Sequence, residues 1–121
     1  MSDTIILLAT NITCTTKQET DQRRIRDLFK GKGFDFEEIE CGLPENIEKR
    51  EFFFEISKQR VYPQVFIKKD GGEFVDVGSW TEIQAMLDSD DIPSEILEQN
   101  PSIKTFSKVF QNMKKSEPSQ N

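Results

Sequence analysis

The sequence predicts an α/β fold built on a four-stranded mixed sheet with helices on both faces. Three observations carry this. Thr4 to Ala9 is a continuous apolar run of strand length, the pattern of a strand covered on both faces and central in its sheet. Two strand-like runs flank Lys69-Asp70-Gly71-Gly72, whose Asp-Gly-Gly centre signals a hairpin. Two Ser/Thr-x-x-Glu capping boxes each precede apolar residues at helical spacing. Helical-bundle and all-β alternatives each leave one of these periodicities unexplained.

After the first strand, Thr16-Lys17-Gln18-Glu19 has capping-box form and opens a helix. Ile25, Leu28 and Phe29 supply its i, i+3, i+4 stripe, and Gly31 and Gly33 are placed to end it. Phe34, Phe36 and Ile39 form a second strand, with Asp35 and Glu37 alternating outward. Pro44 suits the first turn of a second helix over Glu45 to Ser57, which carries Ile47, Phe53, Phe54 and Ile56. Phe52-Phe53-Phe54 is more than one helix face can bury, so one Phe is expected to be exposed or covered by the C-terminal helix. Val65 to Ile67 and Phe74 to Val77 are the hairpin strands. Ser79-Trp80-Thr81-Glu82 is the second box, and Trp80, Ile83, Met86 and Leu87 follow it on one helical face.

An acidic linker, Asp88 to Asp91, leads to a short helix from Pro93 and Ser94 that carries Ile96 and Leu97 and ends at Asn100-Pro101. Ile103, Phe106, Val109, Phe110 and Met113 then make an amphipathic stripe, expected as a last helix docked on the main domain. The predicted organisation is a domain over 1–88, a helical C-terminal extension over 89–115 and a disordered tail over 116–121. The first β-α-β requires a parallel pair with a right-handed crossover, whereas the last two strands are antiparallel.

The chain has 121 residues, one domain's worth. Its ten Phe are too many for a disordered chain. Ile5 to Ala9 is too short for a membrane span and lacks the basic flank of a signal peptide. Sixteen Lys and Arg against 22 Asp and Glu give a net charge of −6, which repels nucleic acid. The absence of histidine removes His-based triads, imidazole bases and most catalytic zinc sites, so no metal is expected. Cys14 and Cys41 are too few for a secreted disulfide framework and too far apart for a Cys-x-x-Cys pair, which points to the cytoplasm. Charge is also uneven. Nine acidic residues and no Lys or Arg lie between Asp70 and Glu98, whereas Ser102 to Lys115 holds four Lys and no acid.

The element order is that of thioredoxin-like domains, and three segments add to it: Leu28-Phe29-Lys30-Gly31-Lys32-Gly33-Phe34-Asp35-Phe36-Glu37-Glu38, Val61-Tyr62-Pro63-Gln64-Val65-Phe66-Ile67, and Gly78-Ser79. With these, Thr4 to Leu87 resembles a glutaredoxin-like domain, and within that superfamily the SH3-domain-binding glutamic-acid-rich protein family. The resemblance implies a cis Tyr62-Pro63 bond with Tyr62 facing the site. It sets Cys14 where glutaredoxins place their nucleophile, beside the N-terminus of the first helix and near Lys17, surroundings that stabilise a thiolate. It also implies a glutathione groove: Tyr62 main chain pairing with the peptide, Arg60 meeting a carboxylate, and the Gly78-Ser79 helix start receiving the γ-glutamyl carboxylate.

Departures from the redox pattern matter as much. Cys14-Thr15-Thr16-Lys17 has no second cysteine, which excludes dithiol exchange within the loop. Trp80 and Thr81 stand where glutaredoxins carry an acidic contact to the γ-glutamyl amine. No Pro-x-x-Pro is present before the third strand, so SH3 binding is not expected, and Cys41, among acidic neighbours, reads as a bystander. Two functions follow. One is a non-catalytic adaptor without a cofactor, binding a protein partner beside Tyr62 or through Lys104, Lys108, Lys114 and Lys115. The other is a monothiol, glutathione-dependent oxidoreductase using Cys14.

Overall fold

The computed structural model describes residues 2–12 and 15–113. Strand β1 (Thr4–Ala9) is central: it pairs in parallel with β2 (Phe36–Glu40) and antiparallel with β3 (Gln64–Lys68). Strand β4 (Phe74–Gly78) joins β3 antiparallel, giving the order β2-β1-β3-β4. The helices are α1 (Thr16–Gly31), α2 (Ile47–Ser57), α3 (Trp80–Ser89), α4 (Ser94–Gln99) and α5 (Phe106–Val109).

Because a strand's side chains alternate between faces, the continuous apolar run of β1 feeds two cores. Ile5, Leu7 and Ala9, with Val65 and Ile67, pack against Ile25 and Phe29 of α1, Ile83 and Met86 of α3, and Phe106 of α5. Ile6 and Leu8, with Phe66, pack on the other face against Phe53 and Phe54 of α2 and against Cys41.

Several element ends differ from expectation, each for a local reason. Thr15 rather than Thr16 caps α1: it holds extended backbone, and its Oγ1 accepts from Gln18 N at 3.0 Å. Pro44 starts a 3-10 turn, Pro44–Asn46, that precedes α2. The last helix is a single turn, because Thr105 is extended and caps it by accepting from Lys108 N at 3.1 Å. The chain then turns so that Asp3 N donates to Asn112 O at 2.8 Å and Met113 bridges Asp3 in parallel. The apolar stripe is nevertheless largely buried: Phe106 and Phe110 stack 4.4 Å apart, Phe110 lies 5.7 Å from Phe29, and Phe106 lies 6.1 Å from Phe34. Of the three adjacent Phe, Phe52 is the exposed one, at 50 %. The extension packs on the opposite face of the sheet and does not cover it. No described helix is long and apolar enough to cross a membrane.

Candidate functional site

The C-terminal end of β1, the start of α1, the loop before β3 and the start of α3 converge around Pro63. The Tyr62–Pro63 peptide bond is cis, and Pro63 is fully buried. Two clefts flank it. One, of about 250 Å³, is lined by Thr15, Lys17, Asp21, Arg60, Val61 and Tyr62. The other, of about 180 Å³, is lined by Gln59, Gln64, Asp76, Gly78, Ser79 and Glu82. The fold thus brings Lys17, Arg60 and Tyr62 together and sets Gly78 and Ser79 beyond Pro63. Cys14 lies outside the described residues; its chain neighbour Thr15 is the α1 cap.

Buried polar side chains hold the surrounding main chain. Gln64 donates through Nε2 to Gln59 O at 3.1 Å and Val61 O at 2.9 Å, shaping the loop before Pro63. Gln22 on α1 accepts from Thr10 N at 2.9 Å and donates to Thr10 O at 3.1 Å, closing the end of β1. The Glu40 carboxylate accepts from Asn11 N at 2.8 Å and from Gly42 N at 2.8 Å. A Cβ on Gly42 would stand 2.7 Å from Glu40 Oε2 and 3.1 Å from Thr10 Oγ1, so a side chain there would push the Glu40 carboxylate from its place. Composition and periodicity do not single these residues out. The one available signal is placement: Gln22 stands three residues before Ile25 on the buried stripe, and Gln64 heads an otherwise apolar strand.

Lys17, Arg60 and Glu82 each have a partner within the chain. Lys17 pairs with Asp21 one helical turn on. Arg60 makes a bidentate contact to Glu51, at 2.8 and 2.9 Å, and its guanidinium lies 4.8 Å from the Phe54 ring centroid. Arg60 and Arg50 hold the Glu51 carboxyl down at about 2. At α3, Ser79 N donates to Glu82 Oε1 at 2.7 Å and Ser79 Oγ to the same oxygen at 2.6 Å; these bonds lower the Glu82 pKa. Gly78 has φ +114°, and a Cβ there would meet Glu82 at 2.8 Å. Asp76, in the same cleft, has its carboxyl raised by burial and by Glu82.

Tyr62 is half-buried, its ring 5.7 Å from Phe54. Burial pushes its hydroxyl up to about 12, with the Cys41 thiol adding to the shift and Arg50 opposing it. Cys41 is itself buried, which raises its thiol pKa and leaves it a poor nucleophile. The indole Nε1 of Trp80 is buried without a hydrogen-bond partner among the described residues. No group of three His, Cys, Asp or Glu among those residues is placed to hold a metal ion.

No family model matches the sequence, and no curated protein matches it. Solved structures do. A buckwheat glutaredoxin in complex with glutathione superposes with a TM-score of 0.52 at 18 % identity, covering 84 % of this chain and 82 % of that one. A mutated buckwheat glutaredoxin superposes with a TM-score of 0.53 at 16 % identity, covering 79 % and 78 %. At such identities the likeness is one of architecture: the chain has a glutaredoxin-like thioredoxin fold.

Proposed function

We propose that the protein is a thioredoxin-fold interaction protein of the SH3-domain-binding glutamic-acid-rich type, a cytoplasmic binding module rather than a thiol–disulfide enzyme. One observation carries the reading: the groups that would receive glutathione are already engaged from within the chain, Lys17 by Asp21, Arg60 by Glu51 and Ser79 N by Glu82. A ligand carboxylate arriving at α3 must displace Glu82 and approach Asp76, a like-charge encounter in a small cleft. With one cysteine in the β1–α1 loop, no intraloop disulfide is available to drive exchange. Titration of glutathione into isotope-labelled protein tests this. The reading expects amide shifts near Pro63 and Ser79 to stay absent into the millimolar range, and saturable shifts there would overturn it.

A second reading is supported by the cleft beside the α1 cap. Thr15 lines it directly after Cys14 in the chain, together with Lys17, and one structural neighbour is a glutaredoxin–glutathione complex. In that reading the Cys14 thiolate attacks a disulfide sulfur, expels the partner thiolate and is left in a mixed disulfide that glutathione resolves. Glutathione-dependent reduction of a mixed-disulfide substrate, lost on Cys14→Ser, separates it from the first.

A further inference from the structure

A third cleft, of about 560 Å³, runs between β4, α3 and the segment that leads into α5. Buried Ile67, Val77 and Met86 form its floor, Ile103 its outer wall, and the exposed Lys104 and Lys108 stand at its mouth. Strand β4 is an edge strand, paired among the described residues with β3 alone, so main-chain donors and acceptors of its outer edge remain to be met.

We infer that this cleft binds an extended acidic peptide segment of a protein partner, laid along the outer edge of β4. Three features select that occupant. The open strand edge recognises an extended main chain, which a compact small molecule would leave unpaired. The apolar floor takes alternate side chains of a strand. The charge at the mouth selects anionic residues between them: in a chain of net charge −6, the lining cations are Lys69, Lys104 and Lys108 against the single acid Asp76. Lys69 is paired with Asp3 at 3.2 Å. Among the described residues, Lys108 Nζ donates to Pro101 O at 3.4 Å, and Lys104 is felt electrostatically at Asp76. Their ammonium groups therefore retain charge to offer a carboxylate. The volume lies within the range of built binding sites, roughly 300 to 1,000 Å³. The inference rests on the interaction-protein reading for its partner class; its cleft shares Asp76 and Val77 with the α3-side cleft beside Pro63, but Lys104 and Lys108 line neither cleft beside Pro63, so the lysine variant tests it separately from glutathione binding.

The test is binding of a fluorescein-labelled hexapeptide, Glu-Val-Glu-Leu-Glu-Val, by anisotropy, with amide shifts mapped on labelled full-length protein. Binding is expected to shift Val75 to Gly78 and Ile103 to Lys108, to weaken with salt, and to fall about tenfold or more in the Lys104→Glu/Lys108→Glu variant. Both lysines are exposed, and unchanged Trp80 fluorescence verifies the variant's fold. Four results would overturn the inference: equal binding of the Lys-for-Glu peptide, unchanged affinity in the variant, no binding at millimolar peptide, or self-association that shifts the same residues.

Discussion

On the α1 side of Pro63, the cations of Lys17 and Arg60 meet carboxylates from Asp21 and Glu51; on the α3 side, a helix N-terminus meets Glu82. The two arrangements differ in what it takes to undo them. Lys17 and Arg60 are largely solvated and Glu51 partly so, whereas Asp21 is buried; the exposed Arg60–Glu51 pair is screened by salt and contributes little. Glu82 instead satisfies a main-chain N–H and a hydroxyl, and folds back over Gly78, where only the absence of a Cβ leaves it room. A visiting anion can exchange partners on the first side, whereas on the second it must break a helix cap. Access to the site is therefore limited at α3, and the pairing of Arg60 is the minor obstacle.

Gln64→Leu breaks what both sides share. It leaves Gln59 O and Val61 O without their buried donor, so stability falls by about 2 kcal/mol, read as a shift in the urea midpoint by fluorescence of the single Trp. Amide shifts should appear at both Arg60 and Ser79. Glu82→Ala acts on the α3 side alone and costs about 1 kcal/mol, the scale of a lost cap. Because the folded Glu82 pKa is lowered, its contribution is present above the ordinary carboxyl range and lost as pH falls through the folded value. The variant's stability should therefore decline less steeply between neutral pH and pH 3. Glu51→Gln, on the α1 side, should leave the thermal midpoint at neutral pH nearly unchanged in 0.5 M salt. In low salt, wild type should lose a small contribution as pH falls from 4.5 toward 2, and the variant should not.

Tyr62 gives the smallest effect at neutral pH and a clean one in alkali. It is the chain's single tyrosine, so absorbance reports it alone. The folded midpoint is expected near 12, against 10 when unfolded. Its contribution to stability is complete below pH 10 and disappears as pH rises from 10 to 12.

Much of the architecture was legible because local and global signals agree. The apolar run of β1, the Asp-Gly-Gly hairpin and the Ser79 capping box each describe a short stretch, and each forms as written. The last helix was not, since the spacing of Ile103 to Met113 records which side chains are buried but not that Thr105 caps the chain midway and Met113 leaves to bridge Asp3. At the site, Lys17, Arg60, Tyr62, Gly78 and Ser79 were named from resemblance, and the fold sets them in the two clefts around Pro63. Their partners were harder to read. Lys17–Asp21 is an i, i+4 pair visible in any helix, whereas Arg60–Glu51 joins the middle of α2 to the loop beyond it. The role of Gln64 depends on main-chain carbonyls that no side-chain pattern reveals.

The most direct measurement is the pH dependence of Cys14 alkylation in a Cys41→Ala background, with glutathione-dependent disulfide reduction assayed on the same sample. The account predicts a midpoint near the free-thiol value of about 8.5 and no turnover above the Cys14→Ser control. A midpoint well below that value together with Cys14-dependent turnover would contradict it and make the protein a monothiol enzyme.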